Sequence, residues 1–295
     1  MTATATFPLL FIGGLVTSKG AGLAVPDWPT TFGHNMFLYP WSKMVGDIFY
    51  EHSHRLIASG VGLLTIFLAF ALWFRERRRW LCWLGLLALG LVVTQGVIGG
   101  LRVVLLEETL AILHACLAQA FFALTVSLAL FTSREWSEGP QGIRSPDARR
   151  VRHLCVLTTG MIYLQGIFGA VLRYTGAALS AHLLTAFLVT LHVLLLSARV
   201  LGDHSDQPRL LRPALLLTGL LILQLGLGLA AYLGKWGSWG TTIAPVAVVT
   251  VRTAHVVTGA LMLAISLVLT LRSYRLLAAP APAAAQGLLS EQPSA

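Results

Sequence analysis

The sequence predicts an all-α polytopic membrane protein that crosses the bilayer eight times, and three observations carry that expectation. Of 295 residues, 56% are hydrophobic and only 11% charged, where a soluble domain carries about a quarter charged residues; mean hydropathy is +0.76. The apolar residues fall in continuous runs at about 3–19, 54–74, 80–101, 109–131, 153–173, 178–200, 213–233 and 249–272. Each run is long enough to cross the hydrocarbon core as a helix, and a membrane strand would alternate instead. Finally, 14 of the 21 Lys and Arg fall in alternate linkers or after the last run.

That charge placement orients the chain. "RERRR" (75–79), the stretch 133–153, the stretch 199–212 and "RSYR" (272–275) are basic, and basic linkers stay on the cytoplasmic side. Both termini are therefore expected in the cytoplasm, with the linkers at about 20–53, 102–108, 174–177 and 234–248 facing outward. The net charge of +9 sets topology in this reading, and no nucleic acid partner is expected. The amino terminus has no basic n-region, so no cleaved signal peptide is expected. Run 3–19 is near the lower length limit for a span, roughly 17 residues. Cys82, Cys116 and Cys155 form no CxxC or CxxCH, which offers neither a thiolate metal site nor covalent haem attachment.

The spans group in two. A polar, basic linker at 133–152 contains Pro140 and Pro146 and separates an amino-terminal half (1–132) from a carboxy-terminal half (153–275). Residues 276–295 are expected to form a disordered tail. "TQGVIGGLR" (94–102) resembles "LQGIFGAVLR" (164–173); "LQLGLGLAAYLGK" (223–235) and "FIGGLVTSK" (11–19) are looser copies. Each odd span thus ends in glycines and then Lys19, Arg102, Arg173 or Lys235. A helix pair used four times predicts two pseudo-symmetric four-helix bundles. The glycines also let helix backbones approach closely.

Each even span carries a histidine near its start: His54, His114, His182 and His255. These spans all run from outside to inside, so the four share one depth near the outer face. His34, His153 and His204 lie in linkers and read as ordinary polar surface. A haem needs axial ligands from facing helices, a flat apolar slot and cations for its propionates. Four residues after each histidine, on the same helix face, stand Ala58, Ala118, Ala186 and Gly259, which leave room for a macrocycle edge. The same test places Leu56 after His52 and Leu196 after His192, so it selects His54 over His52. At eleven residues on, the four faces continue with Thr65, Thr125, Val193 and Ser266. Two bis-histidine porphyrin sites follow: His54 with His114, and His182 with His255. A zinc or copper site would need carboxylate or thiolate company.

Arg55, Arg102, Arg173 and Arg252 sit near these histidines and are candidate propionate contacts; snorkelling at helix ends is the alternative for each. Glu51, three residues before His54, would share its helix face and could act as a base or stabilise developing positive charge. A helix-start carboxylate complementing the dipole is the plainer alternative. Leu179 and Arg252 hold the corresponding places before His182 and His255, so only the first half has a carboxylate there.

"GGLVTSKGAGLAVPDWP" (13–29), followed by "MVGDIFYEHSHRLIA" (44–58), resembles the haem A synthase family. The likeness runs over the whole chain, through the early histidines of the even spans and Gln95 and Gln165, and is strongest over 13–62. The resemblance implies an oxidoreductase that oxidises the ring methyl of haem O to a formyl group in successive steps, giving haem A for cytochrome oxidase. It implies that His54 and His114 flank the substrate haem, that Glu51 is catalytic, and that His182 and His255 hold haem b. It further implies a bacterial plasma membrane and, as partners, haem O synthase, a quinone or other electron acceptor, oxidase assembly factors and a homo-oligomer. Many bacterial relatives have a cysteine pair in the first outer loop; residues 20–50 have none, and the Trp- and Pro-rich stretch 26–41 is the candidate cover. The alternatives are a di-haem b-type electron-transfer protein, which leaves Glu51 unexplained, and a transporter, which would show charges within its spans rather than at their ends. A prenyltransferase acting on haem would show Asp-rich pyrophosphate motifs, and this chain has none.

Overall fold

A computed structural model describes residues 1–138, 142–237 and 242–278. Pro140 and residues 279–295, most of the expected tail, lie outside the described residues. The long helices are α1 (Thr2–Lys19), α2 (Asp47–Arg75), α3 (Arg79–Leu105), α4 (Glu108–Phe131), α5 (Ala148–Thr175), α6 (Leu179–Asp203), α7 (Pro208–Trp236) and α8 (Pro245–Leu276). Seven of them, α2 to α8, are long and apolar enough to cross a membrane, so the chain is an all-α polytopic membrane protein. Helix α1 is the shortest at 18 residues; Thr2, Thr4, Thr6, Pro8 and Lys19 dilute its apolar content, and it falls outside that set.

Local chemistry explains the helix ends. Gly20 closes α1 in the left-handed conformation (φ 74°), with its N–H on Thr17 O, which is a glycine C-cap. Gly46 precedes α2 at φ 59°, and Asp47 complements the dipole in the first turn. Pro208 and Pro245 begin α7 and α8, where the missing N–H costs nothing. Helix α2 begins seven residues before the apolar run does. Glu51 and His52, in its polar first turns, are buried and take partners from the preceding loop, Val25 and Thr31.

The packing order is cyclic within each half: α1 on α2, α2 on α3, α3 on α4, α4 on α1, and likewise α5, α6, α7 and α8. The halves meet through α1–α8, α4–α8 and α4–α5. Val61, Leu72, Leu81, Ala88, Phe121 and Leu128 are buried among α2, α3 and α4. Cys155, Leu196, Leu210, Ala214 and Leu269 are buried among α5 to α8. Phe122, Ala260 and Ala264 fill the seam, with Phe7 and Leu10 of α1 against them. Helix α8 is the central one, with 44% of its apolar window buried against 17–28% for the other spans.

The stretch 133–152 is less of a spacer than its composition suggests. Ile143–Arg144 pairs in parallel with Leu277–Ala278 beyond α8, Arg272 reaches Glu135 at 2.8 Å, and α5 begins inside it at Ala148. His204 is not surface: it is 3% exposed, with Nε2 at 3.1 Å from Asp147 Oδ1. Burial acts to raise the Asp147 carboxyl, but Ser145 and His204 hold its pKa below the usual value. The contacts of this stretch with Leu277–Ala278, Arg272 and His204 join residues more than fifty positions apart, which no local pattern reveals.

Candidate functional site

In each pair α1–α2, α3–α4, α5–α6 and α7–α8, a histidine early in the second helix lays its ring on a glycine of the first. A Cβ added at Gly13 would stand 3.1 Å from His54 Cε1, at Gly99 2.9 Å from His114 Cε1, at Gly169 3.2 Å from His182 Cε1, and at Gly228 3.1 Å from His255 Cε1. Interiors packed this closely have no room for the extra atom. Nδ1 of all four histidines is buried without a hydrogen-bond partner, and among the described residues no other histidine nitrogen is in that condition. Buried polar atoms are normally paired, so this fourfold exception marks a candidate site.

The other histidines have local work. His52 is 1% exposed, its Nδ1 lies 3.2 Å from Thr31 Oγ1, and its ring packs on Tyr39 at 5.2 Å between centres. His192 Nδ1 lies 2.8 Å from Leu188 O within its own helix.

The His182 and His255 rings lie edge-on to one another, with centres 6.3 Å apart and planes at 69°. Two imidazoles on opposite sides of one metal, with bonds of about 2.0–2.1 Å, have centres roughly 6 Å apart. Among the described residues no three His, Cys, Asp or Glu side chains gather as a metal cluster. Two imidazoles with no third protein ligand suit a haem iron, whose macrocycle supplies the remaining donors. The spacing of His182 and His255 is thus compatible with a porphyrin between them.

Glutamines stand four residues before three of the glycines: Gln95, Gln165 and Gln224; Leu9 holds that place in α1. Gln95 Nε2 donates to His114 O at 3.1 Å. Gln165 Nε2 lies 3.3 Å from His182 Nε2, and Thr185 Oγ1 donates to Gln165 Oε1. The small residue expected to leave room at Gly259 instead receives the Gln224 amide, whose Nε2 lies 3.3 Å from where a Cβ would be. Thr65, Thr125, Val193 and Ser266, eleven positions after the histidines, are all buried.

The four arginines divide. Arg55 is spent on its neighbours: it pairs with Glu51 Oε1 at 2.8 Å and donates to Val25 O, Asp27 O and Thr30 O. Arg102 donates to Gly22 O at 3.0 Å, Arg173 to Gly14 O at 3.0 Å and Ser18 Oγ at 2.8 Å, and Arg252 to Gly234 O at 3.4 Å. Among the described residues none of these last three has a carboxylate within ion-pair distance.

Glu51 is 4% exposed. Besides Arg55, its carboxylate accepts the Val25 N–H at 2.9 Å. The loop 20–46 is sewn down around it. Asp27 accepts Phe32 N–H at 2.8 Å, Gly33 N–H at 2.9 Å and the Thr30 hydroxyl at 2.5 Å. Burial acts to raise the Asp27 carboxyl, but these donors prevail and hold it at about 2. The Trp28 indole sits on Gly100, where an added Cβ would overlap the ring; Gly100 follows Gly99, the glycine behind His114. The "PDWP" stretch is thus a turn held by Asp27 that seats Trp28 beside the first histidine pair. Composition hinted at this cover; the glycine that receives it was not legible in advance.

The chain is similar to proteins named "Heme A synthase". The one from Listeria monocytogenes serotype 4a (strain HCC23) is 34% identical over 137 residues, covering 45% of this chain and 42% of that protein. The one from Shouchella clausii (strain KSM-K16) is 29% identical over 184 residues, covering 60% of this chain and 56% of that protein. The alignments thus span about half the length of these relatives. No solved structure matches. A family model described as cytochrome oxidase assembly protein (COX15-CtaA) matches residues 1–183, a stretch that contains the loop, Glu51 and three of the four glycine-backed histidines. With well over half its length matched, the chain belongs to the cytochrome oxidase assembly protein family.

Proposed function

We propose that this protein is a haem A synthase, an oxidoreductase that converts the ring methyl of haem O to a formyl group in successive steps, releasing haem A for cytochrome oxidase. The observation that carries the reading is the fourfold glycine-backed histidine with an orphaned Nδ1, joined by a carboxylate in the first half alone. His54 and His114 would flank the substrate haem, and His182 and His255 would hold haem b. Haem b, when bound there, would supply one-electron redox chemistry; the conversion of methyl to formyl takes one oxygen from water and releases four protons and four electrons, and a quinone or another acceptor would take the electrons onward.

The chain's own residues do the rest. The glycines let the rings swing against the neighbouring helix, which orients the other edge of each imidazole toward the interior. Arg102, Arg173 and Arg252, which have no carboxylate partner among the described residues, are the candidates to receive propionates; guanidinium forks suit that role. Arg55 belongs to the loop and Glu51, so its share in propionate binding is the weakest of the four. Glu51 holds a negative charge at the edge of the first site, where it takes a proton or stabilises positive charge as the methyl carbon is oxidised. The loop carrying Trp28 covers that site.

The same reading makes α1 the first of eight spans. The two closed packing cycles, α1–α4 and α5–α8, support two related four-helix bundles, 1–132 and 153–275, with both termini cytoplasmic in a bacterial plasma membrane and the porphyrin sites toward the outer face. Haem O synthase, oxidase assembly factors and a second copy of the chain are the expected partners.

Co-expression with a source of haem O, followed by haem extraction and mass analysis, tests the activity. Hydroxymethyl and formyl haem are expected. Their absence from folded, haem-loaded protein overturns the activity. Unmodified haem b alone, with redox exchange against quinone, would favour the di-haem electron-transfer protein.

A further inference from the structure

Arg173 lies in the last turn of α5, one helical turn beyond Gly169, the glycine behind His182. Its guanidinium leaves its own half. Nη2 donates to Gly14 O and Ser18 Oγ of α1, and Thr253 of α8 donates to the same Ser18 Oγ at 3.0 Å. A Cβ at Gly14 would stand 3.5 Å from Thr253 Cγ2, so α1 and α8 already touch there. Gly14 directly follows Gly13, the glycine behind His54. One guanidinium therefore ties the backing of a second-half histidine to the backing of a first-half histidine. A charged side chain at this depth is costly, yet among the described residues no carboxylate neutralises it. Coupling between sites travels through such contiguous contacts when they join two elements that each set a ligand's position.

We propose that Arg173 is a positioning residue shared by the two porphyrin sites: by holding Gly14 and Ser18 it sets how α1 backs His54, so the second half tunes the first. The proposal rests on the reading of both histidine pairs as porphyrin sites. The electrostatic part follows from the same contact, because the positive charge lies at the seam and biases the reduction potential of either site.

The test uses the full-length purified protein in a His255→Ala background, which leaves the first-half haem as the one observed. Arg173→Met is introduced there, and the low-spin electron paramagnetic resonance signal and the redox titration of the remaining haem are read. A shift of both relative to His255→Ala alone is expected, with Arg173→Lys returning them part of the way. Ser18→Ala, which removes a neutral hydroxyl on the α1 side, should give a smaller shift and decides the matter if Arg173→Met does not fold. An unchanged signal and midpoint in Arg173→Met and Ser18→Ala overturns the coupling while leaving the porphyrin sites standing. Wild-type protein that binds no haem overturns the functional reading first, and the coupling with it.

Discussion

The His114 ring lies so close to Gly99 that a single added carbon would stand 2.9 Å from its Cε1. The same relation recurs at His54, His182 and His255, so each of these glycines has a specific steric role beside a histidine ring. Gly99→Ala should push the His114 ring off its position, at a cost of about 1–3 kcal/mol for an overpacked interior. The expected result is loss of the first-half haem with the second-half haem retained, measured as haem per protein after purification. Gly169→Ala should do the reverse.

Glu51→Gln keeps a carbonyl oxygen for the Val25 N–H and removes the charge that faces Arg55. Formyl haem production should fall by about 10²–10⁴-fold, the range for a lost general acid or base, with haem content unchanged. Normal product yield would remove Glu51 from the chemistry. Glu51→Ala should also destabilise the loop, since an unpaired buried N–H costs roughly 1–3 kcal/mol.

His52 and His54 separate by the same assay. His54→Ala should lose the substrate-site haem. His52→Ala should keep it and loosen the loop, seen as faster proteolysis within residues 20–46. Loss of haem from the His52 variant alone would reverse the assignment.

The loop should respond to acid in a defined window. The Asp27 pKa is held at about 2, below its ordinary 3.8, so the charged form is the one favoured by the folded loop. Its contribution is fully present above pH 3.8 and is lost as pH falls through about 2. Loop protection in wild type should therefore be flat from neutral pH to about 5 and fall only below about 4, whereas Asp27→Asn should show the loosened loop already at neutral pH. Hydrogen exchange of residues 20–46 reads both.

In the second half, His182→Ala and His255→Ala should each remove the stable b-type haem, read from the reduced-minus-oxidised spectrum. Retention in both would exclude the pair with ring centres 6.3 Å apart as its ligands.

Much of this was legible in the chain itself. Continuous apolar runs marked α2 to α8, because a bilayer demands length and apolar content and little else. The position of one histidine per even helix selected His54 over His52, since the residue four places on decides whether a helix face is open. Histidine partners from other elements were less visible. His204 read as surface because Asp147 is 57 residues away. The loop partners of Arg55, which are Val25, Asp27 and Thr30, were not visible either, because they lie across a loop whose path local sequence does not specify.

The amino-acid sequence alone determined that this is an all-α membrane protein, with repeated glycine-ended helices each followed by a histidine and with a carboxylate at only one of those histidines. Periodicity, apolar length and charge placement are local properties, and each residue carries its share of them. Only the tertiary structure decided which glycine backs which histidine, that Trp28 lies on Gly100, and that Arg173 crosses from one half to the other. Those are contacts of a few ångströms between helices far apart in the chain. They depend on how close two backbones come, which is set by all the side chains between them at once.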